Sequence, residues 1–390
     1  MARPPSPASG PGGLPQRRPP GLADPAGATT GGDETLADLG EWELIRRLGA
    51  FAPPGQFADD AALLGPAAGG GDGAEIGATA GDGAGGGALV VNTDVLVEGL
   101  HFSEATTAAA DVGWRAAAAN LSDLAAMGCS EVVGLTVGLV APGSTPWTWV
   151  EGVYTGLGDA LERYGGVLLG GDCSGGEQRL LAVTALGRLD TAGGAIRRRD
   201  GRPGDRLLCT GPHGLSRLGL ALLQGPEPPR DGGGGESAAP GVDPALAQRA
   251  IAAHRRPLPR FDAVRALIAS RPAATPWRVG GCDSSDGLAA AVRAIAASSG
   301  CGARLERAAL PLDPAMAGLP QAQAWCLEGG EDFELVLALQ PAWAEALAAA
   351  LPGCTVIGEL AAGPAGELRW GGRAGQDDGA IPNSGYRHFG

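Results

Sequence analysis

Short apolar runs that end in acidic or amide residues alternate along this chain with alanine-rich segments of helical spacing. The run at 88–94 (Ala-Leu-Val-Val-Asn-Thr-Asp) predicts a buried strand that carries Asp94 at its carboxyl end, because a strand covered on both faces is apolar throughout. Residues 111–127 follow with the apolar spacing of a helix. This alternation favours a mixed α/β protein whose strands deliver polar side chains to loops and helix starts.

The same alternation continues to residue 360 and predicts the remaining elements. Further helices are expected at 41–48, 146–163, 215–223, 244–253, 259–270, 286–299 and 342–351. Further strands are expected at 132–140, 167–169, 180–189, 206–210, 303–306, 333–339 and 354–360.

Composition shifts divide the chain into three parts. Residues 1–32 are almost entirely Pro, Gly, Ala and Ser and predict a disordered tail, because they bury too little surface to offset the ordering entropy. A polar stretch near 190–204 marks a boundary, which gives an N-terminal domain at 33–195 and a C-terminal domain at 196–390. The glycine-rich stretches 65–87 and 225–241 predict loop insertions.

The composition excludes several classes of function. The chain has no lysine, and all 29 basic residues are arginine, so Walker A, protein-kinase and Schiff-base chemistries are excluded. A formal charge of −14 argues against a nucleic-acid surface. The seven cysteines and four histidines show no zinc-site spacing. With no secretory signal and no apolar run near the roughly 20 residues of a membrane span, we expect a cytoplasmic protein that contacts neither nucleic acid nor membrane.

Five short acidic motifs lie where a strand meets a loop or a helix begins. They are Asp59-Asp60, Asn92-Thr93-Asp94, Asn120-Leu121-Ser122-Asp123, Gly170-Gly171-Asp172 and Asp283-Ser284-Ser285-Asp286. One such aspartate is ordinarily a cap or a turn former. If the fold gathers several, their charges repel unless cations neutralise them, and hard oxygen ligands select Mg²⁺, Mn²⁺ or Ca²⁺ over zinc. The motifs therefore predict a metal-dependent site of the kind used in phosphoryl transfer.

Three further sequence features can each be interpreted as functional or as structural. The segment 329–334 (Gly-Gly-Glu-Asp-Phe-Glu) is either a substrate loop or a turn with a solvated acidic edge. The run Arg197–Arg199 is either a phosphate clamp or a solvated charge run. His101 either contacts substrate or is structural.

Taken in order, these motifs resemble the thiamine-monophosphate kinase family of the PurM-like ATP-binding superfamily. The resemblance spans roughly residues 40–390 and depends on an ordered set of short pieces. They lie at 57–64, 92–102, 120–128, 170–172, 199–205, 283–287, 329–335 and 385–389. Each piece alone is weak, whereas the ordered set is specific.

The resemblance implies two α/β domains with mixed sheets, a homodimer whose N-terminal sheets join, and transfer of the ATP γ-phosphoryl group to thiamine monophosphate. It implies several magnesium ions, held by Asp60, Asn92, Thr93, Asp94, Asp123, Asp172, Asp283 and Asp286. It implies ATP contacts from Gly171, Asp172, Arg199 and Ser285, and thiamine-phosphate contacts from His101, Glu331 and Tyr386. No protein nucleophile is expected, because the second pKa of a phosphomonoester is about 6 and the acceptor oxygen is already ionised.

Two departures and two alternatives accompany this resemblance. Ala58 replaces the glycine that usually precedes the paired aspartates, and Asn92 stands where serine is common. Another PurM-like ATP-dependent synthetase is one alternative, although selenophosphate synthetases use a lysine and an N-terminal reactive cysteine that this chain lacks. The other is a non-catalytic dimeric scaffold, which would have no reason to keep so many acidic residues.

Overall fold

The computed structural model describes residues 35–52, 55, 57–64, 87–225, 242–371 and 379–381. The expected tail at 1–32, nearly all of the two glycine-rich insertions, and Tyr386 lie outside these residues. Nine helices occur in the described part: α1 Leu36–Leu48, α2 Ala109–Ala126, α3 Trp147–Tyr164, α4 Leu215–Gln224, α5 Pro244–Arg255, α6 Phe261–Ala269, α7 Leu288–Ser298, α8 Ala322–Glu328 and α9 Pro341–Ala350. Eleven strands accompany them there: β1 Ala62–Leu64, β2 Leu89–Val97, β3 Cys129–Ala141, β4 Val167–Gly175, β5 Leu180–Leu189, β6 Arg206–Cys209, β7 Gly280–Asp283, β8 Gly302–Leu305, β9 Leu335–Leu339, β10 Thr355–Ala361 and β11 Leu368–Trp370.

The first sheet has five strands in the order β1-β2-β5-β3-β4, antiparallel except for the parallel β3–β4 pair. Helix α2 covers one face of this sheet and packs on α3. The two helices approach so closely that a Cβ at Gly113 would lie 1.9 Å from the Val153 carbonyl oxygen, and one at Gly156 would lie 1.8 Å from that of Ala110. Both helix-interior glycines are therefore required by packing, despite their low helix propensity.

The second sheet has six strands in the order β11-β8-β10-β6-β9-β7. All five residues of β9 are buried, because this strand lies between β6 and β7. The core is continuous between the two sheets: the indole rings of Trp277 and Trp343 pack edge to face at 5.5 Å, and the Trp114 indole donates to the Pro257 carbonyl at 2.8 Å. Helix α2 and strand β7 meet where the two sheets adjoin.

The mixed α/β class with two sheets is confirmed, but β1, β11 and α8 were not predicted, and α1 begins at Leu36 and not at residue 41. Three further strands also differ from expectation. Strand β2 runs on to Val97, so Asp94 lies inside the strand and not at its end. Strand β4 was expected to stop at 169 but continues to Gly175, because its glycine-rich half pairs with β3. Strand β7 was not predicted, because Gly280-Gly-Cys-Asp283 has no apolar pattern, although all four residues are buried. The domain boundary at 195/196 stays a prediction.

Within the described residues, no helix is long and apolar enough to cross a membrane.

Candidate metal and phosphate site

Four aspartates from four separate segments converge where α2 and β7 meet, and we call them the acid cluster: Asp60, Asp94, Asp123 and Asp283. Burial raises the pKa of Asp60 to about 7, and the charges of Asp283 and Asp59 add to the rise. Burial raises the pKa of Asp94 to about 6, with a further rise from Asp283 and Asp286. The acid cluster therefore concentrates negative charge that the fold alone does not neutralise.

The other two members of the acid cluster respond in the same way. The pKa of Asp123 lies well above its ordinary value, first because of burial and then because of the charges of Asp94, Asp283 and Asp60. Burial also raises the pKa of Asp283, although a hydrogen bond from Ser122 opposes the rise. Asp94 and Asp123 keep part of their surface exposed, so the acid cluster remains open to solvent on one side.

Two asparagines fix strand β2 against helix α2 beside the acid cluster. Asn92 Nδ2 donates to Asp123 Oδ2 at 2.8 Å and to Asn120 Oδ1 at 3.2 Å. Asn120 Oδ1 also accepts from the Asp94 backbone N–H at 3.1 Å. Asn92 and Asp94 share a face of β2 because side chains alternate along a strand. The Asn92 and Asn120 side chains thereby fix the position of Asp94 relative to α2.

Asp283 is tied to α2 from the second sheet. Ser122 Oγ donates to Asp283 Oδ2 at 2.6 Å, and this bond joins the two halves of the chain. Within its own loop, Asp283 accepts from the Ser285 backbone N–H at 3.4 Å. Neither Asn120 nor Ser122 was assigned a role from the sequence, although both lie in the motif that supplied Asp123.

Arg198 is the cation that the described residues bring into the acid cluster. Its guanidinium contacts Asp60, whose side chain is only 3% exposed, and its backbone N–H donates to Asp59 Oδ1 at 2.9 Å. Of the run 197–199, the family resemblance implies an ATP contact for Arg199. Arg199 lies beside Gly55, at 3.8 Å from a Cβ placed there, so the two arginines serve different neighbours.

The residues of the acid cluster fit a magnesium ion in one observed respect. Asn92 Oδ1 is buried and has no hydrogen-bond partner among the described residues, although it belongs to the side chain that bridges to Asp123. No three His, Cys, Asp or Glu side chains within the described ranges are close enough together to enclose an ion by themselves. Magnesium does not require such a cage, because it keeps several waters and binds one or two carboxylates together with substrate phosphates. The departure at Asn92 therefore leaves an oxygen ligand in place.

The departure at Ala58 has no backbone consequence. Among the described residues, those other than glycine with positive φ are Ala274, Glu331 and Phe333. Ala58 is absent from that group, so it precedes Asp59-Asp60 without the strain that a left-handed conformation would impose.

Thr93 and Asp172 do not join the acid cluster within one chain. Thr93 Oγ1 hydrogen-bonds Thr184 Oγ1 at 2.8 Å, on the face of β2 opposite Asp94. Asp172 lies on β4, where it pairs in register with Gly138 of β3, and β4 is three strand spacings or roughly 14 Å from β2. Gly171 has a packing role of its own, because a Cβ there would lie 1.9 Å from the Val137 carbonyl oxygen.

The loop 283–286 is held from two sides. Ser284 Oγ lies 2.8 Å from the His213 ring nitrogen Nε2, and burial lowers the pKa of His213 to about 4, so the ring is neutral at physiological pH. The Ser285 carbonyl accepts from the Glu331 backbone N–H at 2.7 Å. Asp286 is exposed at the edge of the acid cluster, where its charge raises the pKa of Asp94. The expected ATP contact Ser285 therefore lies between the acid cluster and the segment that carries Glu331.

His101 and Glu331 lie close together, near the N-terminal half of α2. Both contact the Arg115 guanidinium: Glu331 Oε1 at 2.5 Å and the His101 carbonyl oxygen at 3.4 Å. Arg115 is another residue that the sequence did not single out.

The remaining acids of 329–334 do not form a solvated edge. Asp332 accepts from the backbone N–H groups of Gly214 and Ser216 at 2.7 and 3.0 Å, at the start of α4, and burial raises its pKa to about 7. Glu334 is buried and pairs with Arg260. Asp332 and Glu334 therefore support the loop. Of the three acids in this segment, Glu331 is the one that contacts Arg115.

Two family models match the chain, and several thiamine-monophosphate kinases are similar to it. The family described as AIR synthase related protein, N-terminal domain, matches residues 58–189, and its C-terminal domain matches 202–371. The thiamine-monophosphate kinase of Prochlorococcus marinus is 44% identical over 332 residues, which is 85% of this chain and 91% of that protein. That of Synechococcus elongatus is 44% identical over 362 residues, or 92% and 98%. The solved structure of AaThiL complexed with AMPPCP and TMP has a TM-score of 0.70 at 25% identity, covering 92% of this chain and 100% of that one.

Proposed function

The chain belongs to the thiamine-monophosphate kinase family, and on that premise we propose that it transfers the γ-phosphoryl group of ATP directly to the phosphate of thiamine monophosphate. The products are ADP and thiamine diphosphate. The observation that carries the proposal is the acid cluster, in which carboxylates from four segments meet with Arg198 as their cation among the described residues. Such an excess of negative charge suits a site that takes up cations together with phosphates.

Several magnesium ions would be held by Asp60, Asp94, Asp123 and Asp283, each ion by one or two of these carboxylates together with water and phosphate oxygens. The Asn92 side-chain oxygen would lie beside them and Asp286 at the edge. When bound, magnesium supplies the positive charge that lets one phosphate approach another. The chain's own contribution is position: Asn120 fixes the Asp94 backbone, and Ser122 fixes Asp283. No side chain has to remove a proton, because the attacking phosphate oxygen is already ionised near neutral pH.

ATP would lie on the side of the acid cluster that faces the second sheet, with Ser285 and Arg199 as contacts. The acceptor would lie on the N-terminal side of α2, with His101 and Glu331 as contacts and Tyr386 as a further one. The hydrogen bond from the Glu331 N–H to the Ser285 carbonyl supports this arrangement, because it makes the two binding regions neighbours. In-line transfer requires that neighbourhood.

A homodimer is part of the proposal because strand β4 is an open edge. All nine residues of Val167–Gly175 are exposed, including the apolar side chains of Val167, Leu168 and Leu169. An exposed apolar edge strand is a template for pairing with another chain. Asp172 and Gly171 lie on this strand, so their proposed contacts with metal and ATP would be made where a second copy approaches. Light scattering that gives a monomer mass would contradict this part.

The test of the proposed reaction uses the purified full chain with ATP, MgCl₂ and thiamine monophosphate. We expect equal amounts of ADP and thiamine diphosphate, resolved by chromatography, and no transfer when EDTA replaces MgCl₂. Unphosphorylated thiamine serves as the matched acceptor control and should yield no diphosphate. ATP turnover without thiamine diphosphate would contradict the acceptor, and no turnover at all would favour a non-catalytic scaffold.

A further inference from the structure

Arg115 is a buried arginine of α2 that reaches three segments distant in sequence. Its side chain is 4% exposed. The guanidinium donates to Glu331 Oε1 at 2.5 Å, to the His101 carbonyl at 3.4 Å and to the His254 carbonyl. A guanidinium has five N–H donors in one rigid plane and can bond several acceptors at once when it is buried. A lysine ammonium has three donors at a single point and cannot reproduce that geometry. Arg115 therefore contacts both of the described residues that are proposed to bind the acceptor.

Glu331 is held in an unusual conformation at the other end of this contact. Its φ is +57°, and Gly330 before it also has positive φ, at +65°. A residue other than glycine keeps such a conformation only where its surroundings impose it, and such residues are concentrated at functional sites. The backbone N–H is bonded to the Ser285 carbonyl, and the carboxylate is bonded to Arg115. Both ends of Glu331 are thus fixed, one toward the nucleotide and one toward the acceptor.

The neighbouring histidine does not share the positive charge. His254 Nδ1 lies 3.7 Å from Glu331 Oε2 and 3.2 Å from Ser216 Oγ. Burial, with a contribution from Arg115, lowers the pKa of His254 to about 4, so its ring is neutral at physiological pH. Arg115 is then the cation in direct contact with the Glu331 carboxylate among the described residues.

We propose that Arg115 is a positioning residue for the acceptor, which holds His101 and Glu331 in one arrangement and thereby sets the affinity for thiamine monophosphate. The inference rests on the proposed function of these two residues. Arg115 acts through them and not on the reacting phosphates, so its loss should weaken binding of the acceptor more than it slows transfer or weakens binding of ATP.

The experiment compares Arg115→Met, Arg115→Lys and the control Arg256→Met. Arg256, at the end of α5, forms ion pairs with Asp111 of α2 and Asp159 of α3, and neither partner is a proposed acceptor contact. For each variant, kcat, KM for thiamine monophosphate, KM for ATP and the unfolding temperature are measured. The Arg115 guanidinium is buried, whereas the Glu331 side chain is 35% exposed. Loss of the charge-assisted hydrogen bond between them predicts a rise of about tenfold in the acceptor KM for Arg115→Met. KM for ATP should stay within about twofold and kcat within about threefold.

The lysine variant keeps the charge but not the fork of donors, so we expect an acceptor KM between those of the wild type and Arg115→Met. It also keeps the test decisive if the methionine variant does not fold, because a lysine variant with the wild-type acceptor KM would overturn the proposal. Equal rises in both KM values, or the same change in Arg256→Met, would overturn it too, since each indicates a general loosening. A wild-type chain that makes no thiamine diphosphate would instead contradict the proposed function.

Discussion

The acid cluster and the loop 329–334 each bring several carboxylates together, and they differ in how those charges are balanced. In the loop, Glu331 pairs with Arg115, Glu334 with Arg260, and Asp332 with two backbone N–H groups. In the acid cluster, Arg198 is the one cation in direct contact among the described residues, and neighbouring carboxylates of the cluster add to the raised pKa of Asp60, Asp94 and Asp123. The partners in the loop make it a support for neighbouring segments, whereas the acid cluster has fewer partners, which supports the proposal that it binds cations. The two regions differ in these partners and not in pKa alone, because burial also raises the pKa of Asp332 to about 7.

This difference also separates the two roles along α2. The N-terminal half carries Arg115, which contacts Glu331 and the His101 carbonyl oxygen. The C-terminal half carries Asn120, Ser122 and Asp123, which bring Asp94 and Asp283 close to a third carboxylate. One helix thus positions residues of both proposed binding regions.

The largest effect is expected from Asp94→Asn, which removes one charge from the acid cluster while keeping the side-chain shape. Metal-assisted charge neutralisation contributes several kcal/mol, so kcat should fall roughly 10³-fold. The unfolding temperature should stay level or rise, because the substitution relieves repulsion with Asp283 and Asp286. Steady-state kinetics and differential scanning calorimetry on the same preparation check both; a variant with near wild-type kcat would contradict the role of Asp94.

The stability of the folded chain should fall as the pH rises, because burial raises the pKa of carboxylates in the acid cluster. The folded pKa of Asp60 is about 7 and that of Asp94 about 6, both above the ordinary aspartate pKa of 3.8. The folded state therefore holds more protons than the unfolded state between about pH 4 and 7, and its stability falls as the pH rises through that window. Each group contributes at most about 1.4 kcal/mol per pH unit.

Urea unfolding in EDTA at pH 5, 6, 7 and 8 measures this slope, and the same series in MgCl₂ should flatten it. Asp60→Asn serves as the control, because it removes the more strongly shifted group and should reduce the slope in EDTA. Stability in EDTA that rises steadily from pH 5 to 8 would contradict the interpretation of the acid cluster as under-neutralised.

A smaller effect is expected from Arg198→Met, which removes the cation in contact with Asp60. Loss of a partner from a buried ion pair is destabilising by about 3 kcal/mol or more. Because Arg198 lowers the pKa of Asp60, its removal raises that pKa further, and protonation of Asp60 should limit the loss of stability to about 2 kcal/mol at pH 8. The matched control is Arg206→Met, whose ion pair with Glu359 is 44% and 38% exposed and should contribute less than about 1 kcal/mol. Urea unfolding in EDTA checks both, and equal losses in the two variants would show that burial of Asp60 has no consequence.

Sequence patterns predicted the fold well because most elements are encoded locally. The period of the apolar residues placed α2, α3 and β5 to within a few residues, since each buries one face or stripe. Strand β7 was missed because its burial comes from the neighbours β9 and α7, and a Gly-Gly-Cys-Asp stretch has no pattern of its own. Local periodicity does not record burial that other segments impose.

The site shows the same division. The family resemblance named Asp60, Asp94, Asp123 and Asp283, and the fold brings these four together. It named neither Arg115 nor Arg198, because a buried ion pair between residues more than a hundred positions apart leaves no local signal. The face occupied by Thr93 and the edge position of Asp172 depend on strand register and sheet order, which short motifs do not encode.

The smallest effect separates support from chemistry inside the loop itself. Asp332 accepts from two backbone N–H groups at the start of α4, and Asp332→Asn leaves one oxygen to accept from them. The substitution should destabilise the chain by about 1 kcal/mol, as loss of a helix cap does. Asp243→Ala is the matched control, because Asp243 caps α5 far from the acid cluster with bonds of 3.0 and 3.1 Å to Ala245 and Leu246. Both variants should keep the acceptor and ATP KM values within about threefold of the wild type. A tenfold change in either KM for Asp332→Asn alone would place Asp332 among the ligand contacts and end the distinction between the loop and the acid cluster.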